Sequence, residues 1–242
     1  MPNNGKICLI AGVGPGTGRE CAKKFSENGY KIAMLARNLE FLNNLEKKIP
    51  NTKAFKCDVE NTESIIETCS IVRNQMGTPS IFIHNAVAGI LDGGGASNFL
   101  GDNPENLEKN FRVNTNSLLY FARELAPDMI KNKSGAIIVT GNTSAMRGKA
   151  NFAYFAPTKS AQRILAQSMA RELGPKGVHV AYIIIDAAID TPRTRPIFFG
   201  NEKDDNFFCK PSSIAEEVYH IAHQNRSAWS FDVEIRPDIE KW

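Results

Sequence analysis

A cluster of glycines near the amino terminus has the spacing needed to bind a phosphate group. A short apolar run is followed by GVGPGTG at positions 12–18, and an amphipathic stretch comes next. Glycines permit a tight turn and a close approach of the backbone to a pyrophosphate, which the amino terminus of a helix attracts. The pattern predicts that Gly12, Gly16, Thr17 and Gly18 bind a dinucleotide. The alternative is a glycine turn with a purely structural role.

The residues after the second apolar run indicate which dinucleotide fits. An acidic residue there would bind the ribose 2′-hydroxyl of NAD and repel a 2′-phosphate. This chain has Ala36-Arg37-Asn38 instead, and an arginine can donate charge-assisted hydrogen bonds to a phosphate. Arg19, just past the glycines, is a second candidate for that phosphate. The sequence therefore predicts NADP(H) rather than NAD(H), and the alternative is an arginine at a solvated helix start.

A parallel sheet with flanking helices would position these residues, and the chain has the pattern of one. Short apolar runs alternate with longer amphipathic stretches, which is typical of βαβ units around a buried sheet. The predicted strands are residues 6–11, 31–36, 53–56, 80–84, 136–140, 178–185 and 229–235. The predicted helices are residues 16–28, 39–48, 62–76, 104–130, 156–173 and 213–224. We therefore expect a single α/β domain over residues 1–242.

Composition and charge narrow the class of protein. The chain has 242 residues, 42% of them hydrophobic, and a formal net charge of +3. This composition is ordinary for a soluble protein, and so small a charge attracts nucleic acid only weakly. No apolar run reaches membrane-spanning length, and no signal peptide is visible. The five cysteines are scattered without a Cys-x-x-Cys spacing, which favours reduced thiols. We therefore expect a cytoplasmic protein with a small-molecule substrate, and no metal, nucleic acid or membrane as partner.

Several motifs, in chain order, resemble those of the short-chain dehydrogenase/reductase family. The glycines of residues 12–18 match its Gly-x-x-x-Gly-x-Gly spacing, and Asp58 lies in a segment that looks like its adenine-contacting Asp-Val. His84-Asn85-Ala86-Val87 occupies its Asn-Asn-Ala-Gly position. The resemblance implies a Rossmann-type, doubly wound parallel sheet of seven strands and cofactor contacts from Asp58, Asn85 and Ala86. The alternatives are that Asp58 satisfies backbone donors and that His84 is an ordinary strand-end residue.

The same resemblance points to two residues of the catalytic set. In the family, a tyrosine exchanges a proton with the substrate oxygen, and a lysine lowers the pKa of that tyrosine and holds the nicotinamide ribose. A serine donates a hydrogen bond to the substrate carbonyl, and an asparagine supports a water chain. The cofactor supplies the hydride. Asn114 fits the asparagine position and Lys159 the lysine position, which implies catalytic roles for both and a ribose contact for Lys159. The alternatives are a satisfied helix asparagine and a surface lysine.

The other two positions of the set depart from the family pattern. Phe155 stands four residues before Lys159, where the tyrosine is expected, and Asn142 stands at the serine position. A benzyl ring has no proton to give, whereas an amide can still donate to a substrate oxygen, so Asn142 is the third catalytic candidate. Ser144 is an alternative donor or simply a turn serine. Tyr154 lies about 140° from Lys159 around a helix axis, so we expect it to point away.

The segment after the sixth predicted strand completes the resemblance. Residues 185–192 correspond to the family's Pro-Gly-x-x-x-Thr segment, which implies carboxamide contacts from the Ile189 backbone and the Thr191 hydroxyl; a plain loop is the alternative. A substrate loop is expected over about residues 186–210. Its aromatic residues either close over an apolar substrate or pack the loop down; they are Phe198, Phe199, Phe207 and Phe208.

Two functions fit these observations. The first is an NADP(H)-dependent oxidoreductase for a carbonyl or alcohol substrate, in which Asn142, water or the substrate itself handles the proton. The second is an NADP(H)-binding sensor or partner subunit without redox turnover. Family members pair through two long helices, which correspond here to residues 104–130 and 156–173, so the resemblance also implies a homodimer or homotetramer.

Overall fold

The computed structural model describes residues 5–88, 98–198 and 205–240. The strands of these residues are β1 (Ile7–Ala11), β2 (Lys31–Ala36), β3 (Thr52–Lys56), β4 (Pro79–His84), β5 (Gly135–Asn142), β6 (Val178–Ile185), β7 (Ala188–Ile189), β8 (Phe208–Cys209) and β9 (Asp232–Ile235). The α-helices are α1 (Thr17–Glu27), α2 (Leu39–Glu46), α3 (Thr62–Met76), α4 (Glu105–Phe111), α5 (Ser117–Lys131), α6 (Ala156–Leu173), α7 (Arg195–Phe198) and α8 (Pro211–Ala222).

One parallel sheet forms the centre of the molecule, with strands in the order β3-β2-β1-β4-β5-β6-β9. Both of its faces are covered. Because successive side chains of a strand point to opposite faces, Leu9 packs towards α3, α5 and α6 while Ile10 packs towards α1, α2 and α8. Burial on both faces explains why the central strands are continuous apolar runs. The prediction of a doubly wound seven-stranded α/β sheet is confirmed.

The strand order reverses between β1 and β4. The chain builds β1, β2 and β3 in one direction and then returns to place β4 on the other side of β1. In such sheets the crevice for a ligand lies outside the carboxyl ends of the strands at this reversal. The segments that leave β1 and β4 are the glycine loop, which begins at Gly12, and the segment that begins at Asn85.

Three expectations about the elements are corrected. The predicted helix 104–130 is interrupted by a π-turn at Arg112–Asn116, which widens the backbone ring. The predicted strand 229–235 pairs only over Asp232–Ile235, because the Trp229 indole N–H bonds to Gln224 O (3.2 Å) and its ring stacks on His179. The substrate loop contains α7 and a parallel pair, β7 with β8.

The remaining helix and strand ends lie within two residues of those predicted. Residues 199–204 of the substrate loop, including Phe199, and the side chain of Phe198 lie outside the described residues. Across the ranges that are described, no helix is long and apolar enough to span a membrane.

Candidate active site

The glycine loop is shaped by close backbone contacts. Gly12 has φ +87°, and a Cβ there would lie 2.4 Å from Ala86 N. A Cβ on Gly18 would lie 2.7 Å from Gly12 O, and one on Gly16 would lie 2.6 Å from Thr191 Cγ2. A side chain at any of these three positions would collide with a neighbour. Gly14, in contrast, has open space around it. The loop is therefore tightly packed at Gly12, Gly16 and Gly18 and open at Gly14.

Asn85 ties together the three strand ends that meet beneath this loop. Its backbone N–H donates to Ala11 O (2.9 Å), and its Nδ2 donates to Gly12 O (2.8 Å). Its Oδ1 accepts from Thr140 Oγ1 (3.0 Å) on β5. These bonds fix the segment after β4 against the glycine loop.

A cavity of about 510 Å³ opens over the glycine loop, and we call it the nucleotide cavity. All of the predicted cofactor residues except Lys159 line it, namely Gly12, Gly16, Thr17, Gly18, Arg37, Asp58, Asn85, Ala86, Ile189 and Thr191. The structure thus brings together residues from five separate segments of the chain. Lys109 and Val113 also line the cavity and were not predicted.

The start of α1 fits a phosphate group. Gly16 is the residue before the first helical residue, and no side chain among the described residues caps the backbone N–H groups of this helix end. Thr17 Oγ1 is buried there without a hydrogen-bond partner among the described residues. A buried hydroxyl needs a partner, and a helix amino terminus attracts an anion. A pyrophosphate in the nucleotide cavity would supply an acceptor for the Thr17 hydroxyl and a negative charge at the helix amino terminus.

Two arginines near this cavity differ in their availability. Arg37 is exposed, lines the cavity and makes no ion pair within the part of the chain that the structure describes. Arg19 pairs with the neighbouring Glu20 at 2.8 Å and does not line the cavity. Asp58 accepts from Glu60 N (3.1 Å) and also faces the cavity. Of these two arginines, Arg37 is therefore the one that lines the nucleotide cavity without an ion-pair partner among the described residues.

A second cavity of about 570 Å³ adjoins the first, and we call it the substrate cavity. The two cavities share four wall residues, which are Val87, Ile189, Thr191 and Arg193. Aromatic rings from Phe152, Phe155 and Phe207 line much of the rest. A cofactor in the first cavity would present its reactive end at this shared wall.

Asn142 lies at the carboxyl end of β5 and lines the substrate cavity. Its Oδ1 accepts a hydrogen bond from Ser144 N (3.1 Å) and so caps the short 3₁₀ turn that follows. This bond fixes which end of the amide is oxygen. Nδ2 has no partner among the described residues, so the donor that a substrate oxygen requires is available.

The aromatic residues before α6 have separate environments. Phe155 is only 1% exposed, and its ring forms part of the wall of the substrate cavity. The Tyr154 hydroxyl donates to Phe99 O (2.8 Å) and lies near Asp102 O (3.3 Å). Tyr154 lines neither cavity, and its hydroxyl has different hydrogen-bond partners from the Lys159 amine.

Lys159 is almost completely buried, with 1% of its surface exposed. Its Nζ donates to Gln162 Oε1 (2.5 Å) and lies 3.4 Å from Thr140 O. Burial lowers the pKa of this amine from 10.5 to about 7, because a low-dielectric site disfavours the charged form. Lys159 lines neither cavity. The structure does not bring it into the wall with the other predicted cofactor residues, and its ribose contact stays a prediction.

Comparison with known proteins gives these features a family. A family model described as short chain dehydrogenase matches residues 6–200. The chain belongs to the short-chain dehydrogenase family. An uncharacterized oxidoreductase of Staphylococcus epidermidis is 28% identical over 234 residues, which cover 96% of this chain and 97% of the relative.

Solved structures of other short-chain dehydrogenases share the fold. One from Rhodopseudomonas palustris has a TM-score of 0.81 and 28% identity, covering 97% of this chain and 99% of that one. A metagenomic short-chain oxidoreductase in complex with NADP has a TM-score of 0.83 and 22% identity, covering 99% and 100% of the two chains.

In this short-chain dehydrogenase the predicted catalytic asparagine is buried and bonds to the segment that follows β4. Asn114 is fully buried in the π-turn. Its Oδ1 accepts from Ala88 N and its Nδ2 donates to Ala88 O, both at 3.0 Å, and Nδ2 also donates to Thr158 Oγ1 (2.9 Å). The side chain therefore holds the segment that separates the two cavities. A catalytic role for Asn114 stays a prediction.

The predicted carboxamide contacts belong to a tight turn. Thr191 Oγ1 accepts from Thr194 N (3.1 Å) and lies 2.8 Å from Thr194 Oγ1. Thr194 Oγ1 in turn donates to Ile189 O. The Thr191 hydroxyl and the Ile189 carbonyl are thus both engaged within the turn. Their contact with a carboxamide stays a prediction.

Sequence reasoning missed a buried polar network behind Lys159. Gln162 Nε2 donates to Asn114 O (2.5 Å) and lies 3.3 Å from His84 Nδ1. His84 Nε2 lies 2.7 Å from Ser117 Oγ. Burial, reinforced by Lys159, lowers the pKa of the His84 imidazole to about 3, so this ring is neutral. The available sequence signal was a glutamine one helical turn after Lys159, on the same face of α6.

Proposed function

We propose that this short-chain dehydrogenase is an NADP(H)-dependent oxidoreductase that acts on a carbonyl or alcohol substrate. The observation that carries the proposal is the shared wall of the two cavities, formed by Val87, Ile189, Thr191 and Arg193. A dinucleotide bound over the glycine loop would extend to this wall and meet a substrate on its other side. When bound, the cofactor supplies the hydride.

Three features support NADP(H) as the cofactor. The Thr17 hydroxyl and the start of α1 suit the pyrophosphate, because neither has a side-chain partner among the described residues. Arg37 lines the nucleotide cavity and has no carboxylate partner within the described residues, which supports a contact with a 2′-phosphate. An acidic residue at that position would favour NAD(H) instead, and this chain has none there.

The proton chemistry is proposed to differ from that of a tyrosine-dependent site. Asn142 Nδ2 would donate a hydrogen bond to the substrate oxygen and stabilise negative charge that develops there as hydride arrives. Phe155 supplies no proton, so the proton that converts the alkoxide to an alcohol comes from water or from the substrate itself. The rings of Phe152, Phe155 and Phe207 favour a substrate with an apolar body.

A second candidate function is NADP(H) binding without turnover. The observation that favours it is Phe155, because a buried benzyl group replaces the expected acid while the nucleotide cavity is complete. In that case the protein would sense the cofactor or serve as a partner subunit.

Stopped-flow NADPH oxidation against a panel of aldehydes and ketones separates these candidates. If the natural chain turns over and Asn142→Ala slows it without weakening NADPH binding, the oxidoreductase proposal stands. If only Phe155→Tyr turns over, the binding protein is correct. If NADPH does not bind to the natural chain, both proposals fail.

The homodimer or homotetramer remains part of the proposal. Each of the two long helices exposes an apolar side chain, Leu119 on α5 and Ile164 on α6. Light scattering of the purified protein measures its oligomeric state, and a monomer at micromolar concentration would contradict the proposed homodimer or homotetramer.

A further inference from the structure

The amide of Gln162 occupies the space between the Lys159 amine and the Asn114 main-chain carbonyl. Its Oε1 accepts from Lys159 Nζ (2.5 Å), and its Nε2 donates to Asn114 O (2.5 Å). Gln162 and Asn114 are fully buried, and Lys159 is 1% exposed. One buried side chain thus bridges the amine and the backbone of the π-turn.

The orientation of this amide is determined by its neighbours. The Tyr182 hydroxyl donates to Gln162 Oε1 (3.2 Å), so the oxygen faces two donors, Tyr182 and Lys159. Nε2 faces the Asn114 carbonyl and His84 Nδ1. Since an amide nitrogen only donates, His84 accepts at Nδ1 and carries its proton on Nε2. That proton is directed at Ser117 Oγ, which donates to Val113 O (2.5 Å).

This network joins its members by hydrogen bonds but does not conduct protons. A proton passes along a chain of groups that take it up on one side and release it on the other, as water, hydroxyl and imidazole groups do. A carboxamide oxygen is a very weak base and its N–H a very weak acid, so an amide transmits a hydrogen bond without transferring a proton. The amine of Lys159 therefore meets a barrier where it meets Gln162.

We propose that Gln162 is a positioning residue that holds the Lys159 amine behind the wall of the site and closes its route of proton exchange with solvent past the π-turn at Arg112–Asn116. An ammonium group has three donors, and two acceptors are present within the described residues. One N–H remains for a cofactor ribose. Lys159 can then bind the cofactor while taking no part in proton transfer.

The kinetic consequence rests on the proposed oxidoreductase function. A tyrosine at position 155 needs a supply of protons after each turnover. With Gln162 in place, Phe155→Tyr alone restores the acid without restoring its supply. Gln162→Ala opens a space bordered by four polar groups, those of Lys159, Asn114, His84 and Tyr182. Two to four polar partners are what a buried water requires.

The first experiment compares NADPH oxidation by Phe155→Tyr with that by Phe155→Tyr/Gln162→Ala, with NADPH affinity measured for each. We expect the double variant to be faster by about 10²-fold, the usual contribution of a general acid. The matched control is Phe155→Tyr/Gln162→Leu, which fills the space with an apolar side chain and should show no gain. Equal rates for Phe155→Tyr and the double variant would overturn the proposal.

The second experiment does not depend on turnover. In protein labelled with ¹⁵N-lysine, nuclear magnetic resonance reports the rate at which the Lys159 amine protons exchange with water. We expect slow exchange in the natural chain and faster exchange in Gln162→Ala. Gln162→Ser is the second variant if the alanine change prevents folding, because a hydroxyl can pass a proton. Equally fast exchange in the natural chain and the variant contradicts the proposal, whereas accelerated exchange without any NADPH oxidation contradicts only the oxidoreductase function.

Discussion

Gly12→Ala tests whether the glycine loop has the geometry described above. Gly12 has φ +87° and stands over the backbone of Ala86. An alanine in a left-handed conformation costs about 1–2 kcal/mol. Its Cβ would also lie 2.4 Å from Ala86 N and 2.5 Å from Ala86 Cα. Relieving this overlap requires the segment after β4 to move, which adds a cost of about 1–3 kcal/mol.

The summed cost is about 2–5 kcal/mol. For a chain of this length each kcal/mol lowers Tm by about 2–4 °C, so we expect a decrease of about 4–20 °C. Displacing Ala86 should also weaken NADPH binding by about tenfold or more, which corresponds to 1.4 kcal/mol. Differential scanning fluorimetry and NADPH fluorescence titration measure the two effects.

Gly14→Ala is the matched control, because a Cβ at Gly14 meets no atom within 4 Å. Its Tm should equal or slightly exceed that of the natural chain, since alanine reduces the entropy of the unfolded state. If Gly12→Ala melts at the same temperature as Gly14→Ala, the close approach of the loop to Ala86 is refuted.

Three further predictions concern the cofactor, the buried histidine and the donor amide. Arg37→Ala should weaken NADPH binding by about 10- to 100-fold, the contribution of charge-assisted hydrogen bonds, and leave NADH binding unchanged, while Arg19→Ala should change neither in a fluorescence titration. The pKa of His84 is lowered from 6.5 to about 3, so the contribution of its neutral form to stability is complete above pH 6.5 and is lost as the pH falls towards 3. At pH 5 the free energy of unfolding, measured in urea, should have decreased by about 2 kcal/mol more in the natural chain than in His84→Asn. Parallel pH curves for the two proteins would count against a buried neutral imidazole. Asn142→Ala should lower the single-turnover rate of NADPH oxidation by about 10²-fold with an unchanged Kd for NADPH, and a change confined to Kd would place the amide outside the chemistry.

The nucleotide side of the site was predictable from the sequence because local rules govern it. Gly12 and Arg37 directly follow a strand, Gly16, Thr17 and Gly18 lie at the start of the next helix, and the carboxyl ends of parallel strands meet at one edge of the sheet. Placing Asp58 and Asn85 required only the family resemblance in addition. All of these residues line the nucleotide cavity.

The region behind Lys159 was not predictable in the same way. Gln162 lies 78 positions from His84 and 20 from Tyr182, and no periodicity links residues on different elements. Apolar patterning also hides these polar groups, because His84 and Tyr182 lie within otherwise hydrophobic strands. The π-turn at Arg112–Asn116 is equally invisible to a 3.6-residue period, which is why residues 104–130 were predicted as one continuous helix.

The most direct test of the account is a titration of the natural chain with NADPH and with NADH, followed by cofactor fluorescence. The nucleotide cavity and Arg37, which makes no ion pair with the described residues, predict saturable binding of NADPH that is at least about tenfold tighter than that of NADH. Binding of neither cofactor, equal affinities or tighter binding of NADH would contradict the central claim.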